Sequence, residues 1–197
     1  GTNPIAVAVP AGSGDPWLLD MATSVVSWGK LEEAVRRGQL VPEGWGVDAA
    51  GAPTRDPALI LREGANLPLG GSLGMSGYKG YGLAVLVDIL SGVLSGANFG
   101  GEFRDQWDEQ APDNIGHFFL AIQVEHLMPL DLFAARMRHM IDALRATRTA
   151  AGSPAIMVHG QSEFEAARRN RVQGVPLLLT TLAMLRQIGG EYGVDLA

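Results

Sequence analysis

The sequence predicts an α/β or α+β fold, and three observations carry that expectation. Short runs with period-two alternation give way to stretches with helical spacing. Strand-loop-helix junctions occur twice, around residues 20–24 and 159–161. With 197 residues and 47% hydrophobic content, the chain is able to bury a core as one domain, or as one domain with a small appendage.

In order along the chain, Ile5, Val7 and Val9 alternate with alanines over residues 4–10, the pattern of a strand packed on both faces. A Gly-Ser-Gly turn leads to a second strand over residues 17–22. There Thr23 and Ser24 stand ready to cap a helix that runs to Arg37 and closes at Gly38. Residues 41–57 are broken by Pro-Glu-Gly, Ala-Ala-Gly and Arg-Asp-Pro, so they read as a loop or irregular hairpin that carries Trp45 and Val47 inward. Leu83, Leu86, Val87, Leu90, Val93 and Leu94 recur at helical spacing, and the stretch 83–97 reads as a buried helix. It carries Asp88 and falls short of the roughly 20 apolar residues that a bilayer demands. After a polar loop over 98–114 comes a strand at 116–122, then an amphipathic helix over 130–144 with Asp131 in its first turn. A short strand at 155–158 precedes a Ser162-x-x-Glu165 capping box, a helix ending at Gly174, and a last helix over 180–192.

Composition narrows the function. The absence of cysteine excludes disulfides and thiolate metal sites and fits a reducing cytoplasm. The net charge is -6, and the only basic run, Arg168-Arg169-Asn170-Arg171, is expected to face solvent, so no nucleic-acid surface is indicated. Neither a signal peptide nor a starting methionine opens the chain, which suggests a natural start upstream. The helix apolar on every side points to subunit contact, and a homodimer is the expected assembly.

The densest signal is the loop over residues 69–83, where glycines crowd into the start of a long apolar helix. Each glycine forfeits backbone entropy, so such a loop must bend sharply or approach something closely. Lys79 sits at the mouth of the helix, where unpaired N–H groups and the helix dipole favour an anion. Two readings stand side by side: a phosphate site, or a tight turn packing against a neighbour with Lys79 solvated.

Motif tests exclude more than they admit. Gly80-x-Gly82 lacks the third glycine of a dinucleotide Rossmann fingerprint, and neither Gly29-Lys30 nor Tyr78-Lys79 completes a phosphate loop of nucleotide triphosphatases. Ser76-x-x-Lys79 fits the serine-lysine pair of acyl hydrolases without its partner motifs. The four histidines accompany no carboxylate cluster at ligand spacing, so no metal is expected. His126 and His139 read as surface residues, and His117, beside two phenylalanines, reads as a core histidine in preference to a general base. Asp20 suits either a ribose acceptor or a structural cap, and His159 faces either a bound anion or water.

Five ordered blocks together carry a resemblance: Gly1-Thr2-Asn3-Pro4, Leu19-Asp20-Met21-Ala22-Thr23-Ser24, Leu67-Pro68-Leu69-Gly70-Gly71, Gly77-Tyr78-Lys79-Gly80-Tyr81-Gly82-Leu83 and Gly116-His117-Phe118-Phe119-Leu120-Ala121-Ile122. Over its whole length the chain resembles the type 2 malate/L-lactate dehydrogenase family. That family includes sulfolactate and ureidoglycolate dehydrogenases, diketogulonate reductase and cyclic-imine reductases. The resemblance implies a hydride transfer between NAD(P)H and a 2-oxo acid or 2-hydroxy acid of malate or lactate type. It also implies a non-Rossmann nicotinamide-binding domain whose mixed or antiparallel sheet is flanked by helices.

The resemblance further implies that Asp20, Met21, Ala22, Thr23 and Ser24, together with Lys79 and Gly80, line a site for NAD or NADP. His159, Gly160 and Gln161 stand where the family has a Pro-Gly-Glu turn. The glycine is kept, while the proline and the carboxylate are lost. Asn114 and His117 are placed toward the substrate end of the cleft. The family's catalytic histidine and substrate-binding arginine lie ahead of the Gly-Thr-Asn-Pro block, so no residue here inherits the proton-transfer role. The expected division is a nicotinamide-binding domain over 1–150, and a C-terminal strand and helices over 151–197 that pack with a helical part preceding this chain. The rival expectations are a non-catalytic fragment that needs a partner segment, and the Ser76–Lys79 hydrolase.

Overall fold

The computed structural model describes residues 2–102 and 114–194. The chain divides into two compact units, one built from residues 1–8 and 18–130, the other from residues 9–17 and 131–197.

Strands β1 (Ile5–Val9) and β2 (Trp17–Met21), which belong to the first unit except for Val9 and Trp17, pair as the alternation predicts. β1 is half-exposed, so it is not packed on both faces. Helix α1 (Trp28–Arg36) starts later than its cap signals indicate. The reason is that both hydroxyls are engaged elsewhere, one across the fold and one locally. The Thr23 hydroxyl donates to the carbonyls of Thr2 and Asn3 at 3.1 and 3.0 Å, and the Ser24 hydroxyl donates to the Val26 carbonyl at 2.8 Å. Neither is left to cap a helix, and the chain turns helical only after Ser27, stopping at Gly38 in the left-handed region.

The predicted irregular hairpin is real. Strand β3 (Gly46–Val47) pairs antiparallel with β4 (Pro53–Thr54) on one side and β5 (Ala65–Asn66) on the other. The turn is closed by the Asp48 carboxylate, which accepts from the Ala50 and Ala52 N–H groups at 2.9 Å each. Between β4 and β5 lies α2 (Pro57–Arg62), with proline at its first turn and the Asp56 carboxylate accepting from the Ala58 N–H at 2.9 Å. Val26, Leu31, Val41 and Ile60 form the core here, and Trp45 packs against them as expected. Leu31 and Ile60 are 0% and 1% exposed, and truncating such a side chain to alanine typically costs about 2–5 kcal/mol.

The glycine-rich loop enters α3 (Gly77–Val87), which passes directly into a π-helical turn over Asp88–Val93. The predicted burial of this stretch is corrected, since Leu83, Leu86, Ile89, Val93 and Leu94 are all exposed. Hydrophobic periodicity reports which residues seek cover, not what covers them. The same reason corrects the strand predicted at 116–122. No ladder forms there, and Phe119 is 88% exposed. His117 is likewise exposed, its ring stacked 6.2 Å from that of Phe119, so it is not a core histidine. Most of the polar loop expected over 98–114 lies outside the described residues.

In the second unit, α4 (Leu130–Arg145), α5 (Gln161–Gln173) and α6 (Leu179–Glu191) match the predicted helices closely. Ala11, Ile141 and Val158 form its core, with Trp17 and Met137 packed beside them. The strand predicted at 155–158 is absent, although Val158 is buried. The predicted capping box does not form. Ser162 donates instead to Glu163 at 2.7 Å, Glu165 accepts from Gln161 at 2.8 Å, and α5 starts two residues early, with Gly160 at the N-cap position. The basic run faces solvent, with Arg168 paired to Asp15 at 2.7 Å. Among the described residues, no helix is long and apolar enough to cross a membrane.

Candidate functional site

Of the predicted site residues of the first unit, those at 20–24 are laced by backbone hydrogen bonds to residue 2 on one side and to residues 67–69 on the other. The Thr23 N–H donates to the Thr2 carbonyl at 3.0 Å, the Leu69 N–H to the Thr23 carbonyl at 2.8 Å, and the Val25 N–H to the Leu67 carbonyl at 2.9 Å. Ser24 and Pro68 complete this short antiparallel seam. Thr23 is 1% exposed, and as a buried hydroxyl it has both of its acceptors at hand. Met21, Ala22 and Ser24 are half-buried beside it, and Asp20 is exposed.

Glycine brings the loop under α3. A Cβ on Gly80 would run into the backbone carbonyl and amide of Leu69, and one on Gly77 into the carbonyl of Gly71. Gly80 therefore fixes how closely the loop approaches the first turns of the helix. Ser76, just ahead of α3, adopts the left-handed conformation at φ 67° and makes no capping bond through its side chain. Lys79 is exposed on the first turn, its ammonium 6.0 Å from the centre of the Tyr78 ring. Among the described residues no carboxylate pairs with it.

Asn114 is exposed. Its carbonyl accepts from the Asn98 N–H at 2.9 Å, which anchors it beyond the π-helical turn. Sequence reasoning passed over Asn3 and Asp88. The Asn3 amide donates to the Ala84 carbonyl and to the Asp88 carboxylate, both at 2.9 Å. An acidic residue within an otherwise apolar helix was the available signal.

In the second unit, Gly160 is buried at φ 86°, a conformation that glycine adopts without strain. His159 is exposed, its ring 5.4 Å from that of Trp17. The Gln161 carboxamide is engaged locally, its oxygen accepting from Arg145 and from the Val158 N–H at 3.3 Å each while its nitrogen donates to Glu165. The Ser162 hydroxyl holds the Glu163 carboxyl below its ordinary value, with help from the glutamate's own N–H and from His159.

The fold is similar to that of about half the length of solved dehydrogenase chains. Malate dehydrogenase from Entamoeba histolytica superposes with a TM-score of 0.92 at 32% identity, over 100% of this chain and 56% of that one. The chain belongs to the malate/L-lactate dehydrogenase family, whose profile matches residues 1–186. Among curated relatives, malate dehydrogenase of Pyrococcus abyssi is 41% identical over 98% of this chain and 53% of its own length. The NAD(+) ureidoglycolate dehydrogenase of Escherichia coli is 36% identical over 90% of this chain and 49% of its own. The chain thus spans about half the length of the curated relatives it matches.

Proposed function

We propose that this chain forms the nicotinamide-binding part of an oxidoreductase that moves a hydride between NAD(P)H and a 2-oxo or 2-hydroxy acid of malate or lactate type. The single observation that supports this most is the seam joining residues 23–25 to residues 67–69 beneath the lysine-bearing start of α3. A bound nicotinamide dinucleotide would supply or accept the hydride. Lys79 and the positive end of α3 suit its pyrophosphate, and Asp20 suits a ribose hydroxyl. Met21, Ala22, Thr23 and Ser24 form the wall along it, and Gly80 lets the Leu69 backbone, which is bonded to that wall at Thr23, lie close to the helix. The family resemblance is what assigns His159, Gly160 and Gln161 to nicotinamide binding. The internal bonds of Gln161 make its contribution a fixed turn instead of a free polar contact. Asn114 and His117 are assigned to the substrate end.

The failed Rossmann fingerprint and the short antiparallel sheets support a non-Rossmann mode of nicotinamide binding. We further assign residues 1–150 to the nicotinamide-binding domain and residues 151–197 to packing against a helical part of the complete enzyme. That enzyme would be a cytoplasmic homodimer, the exposed apolar side chains of α3 being suited to such contacts. No residue of this chain is assigned the proton transfer. Titrating the protein that carries this chain with NADH and NADPH by fluorescence tests the reading. Saturable binding of at least one is expected, and none with either would overturn it.

A further inference from the structure

We propose that Asp88 is a positioning residue for the nicotinamide site, acting through Asn3 on the buried junction at Thr23; the inference rests on the cofactor reading above. Gly80, Ala84 and Asp88 are spaced by four and so share one face of the helix. Each receives a different segment. Gly80 admits the Leu69 backbone, the Ala84 carbonyl accepts from the Asn3 amide, and the Asp88 carboxylate accepts from the same amide. The second carboxylate oxygen of Asp88 accepts from the Gly100 N–H at 3.1 Å, so donors from two distant segments occupy both of its oxygens.

Asn3 stands at φ 44°, where asparagine is one of the few residues with a side chain that fits. Its conformation is held from both ends. The amide is fixed by the helix, and the carbonyl accepts from the Thr23 hydroxyl at 3.0 Å. The Thr23 carbonyl in turn accepts from Leu69, which packs on Gly80 and returns the path to α3. This closed circuit sets the distance between the wall at residues 20–24 and the turn that presents Lys79. Without the Asp88 carboxylate, the Asn3 amide keeps only the Ala84 carbonyl, the left-handed turn loosens, and the wall loses its fixed spacing from the lysine.

A double-mutant cycle on NADH affinity tests this, using Asn3→Gly and Asp88→Ala in the protein that carries this chain. Glycine keeps the backbone conformation and removes only the amide. Each single variant is expected to bind NADH about tenfold more weakly, and the double variant no more weakly than either single. Asp88→Asn, which retains an oxygen for Asn3, is expected to stay within about threefold of the parent. Additive losses, or a lower melting midpoint with unchanged affinity in the folded protein, would overturn the proposal. If Asp88→Ala does not fold, Asn3→Gly decides alone, a tenfold loss supporting the proposal and unchanged affinity sinking it. A parent protein that shows no saturable NADH binding removes the cofactor reading itself, and this inference with it, before any variant is compared.

Discussion

Replacing Lys79 by alanine is expected to weaken NADH binding about 10- to 100-fold and to leave the melting midpoint unchanged. The size follows from the charge-assisted contact that a lysine makes with a phosphate oxygen, about 1.5–3 kcal/mol, where tenfold in affinity is about 1.4 kcal/mol. The unchanged fold follows from its setting. Lys79 is exposed, has no carboxylate partner among the described residues, and would be exchanged for the residue with the highest helix propensity. The lost affinity should also shrink as salt rises, because exposed charge is screened within about 8 Å at physiological ionic strength. Equal affinity for parent and variant would remove Lys79 from the site.

Gly80→Ala is expected to destabilise the protein by about 2–3 kcal/mol or more, the reverse of the gain of up to about 1 kcal/mol that glycine-to-alanine normally brings inside a helix. The sign is decided by what lies above the glycine. A methyl there would meet the backbone of Leu69, which cannot swing aside as a side chain tip does. Gly82, two residues on, has open space above it and serves as the control: Gly82→Ala is expected to be neutral or mildly stabilising. Denaturant unfolding of the two variants side by side makes the comparison. A Gly80→Ala protein as stable as the Gly82→Ala protein would mean that the loop does not pack where it is described.

What was legible in the sequence was local. The helices α3 to α6 declare themselves through apolar spacing and terminal glycines, signals contained within a single turn or two. The hairpin around Asp48 is equally readable, since its turn is closed by its own aspartate. α1 starts later than its cap signals indicate because the Thr23 hydroxyl is consumed by tertiary bonds and the Ser24 hydroxyl by a local one to the Val26 carbonyl. The strands expected at 116–122 and 155–158 required partners, and alternation alone names none. The pairing of residues 9–17 with the C-terminal helices had no local sign at all.

The candidate site divides in the same way. Its loop and lysine stand out by composition, and its other blocks became legible through family resemblance. The link from Asn3 to Asp88 spans 85 residues and appears only once the chain is folded. Family membership explains why the blocks keep their order, and the seam at Thr23 explains why they must meet.

The central claim is that Lys79 grips the pyrophosphate of a nicotinamide dinucleotide bound along residues 20–24. A crystal structure of the protein with NADH tests it most directly. The account predicts the Lys79 ammonium within about 3.2 Å of a pyrophosphate oxygen. A dinucleotide seated elsewhere, with that ammonium directed into bulk water, would contradict it.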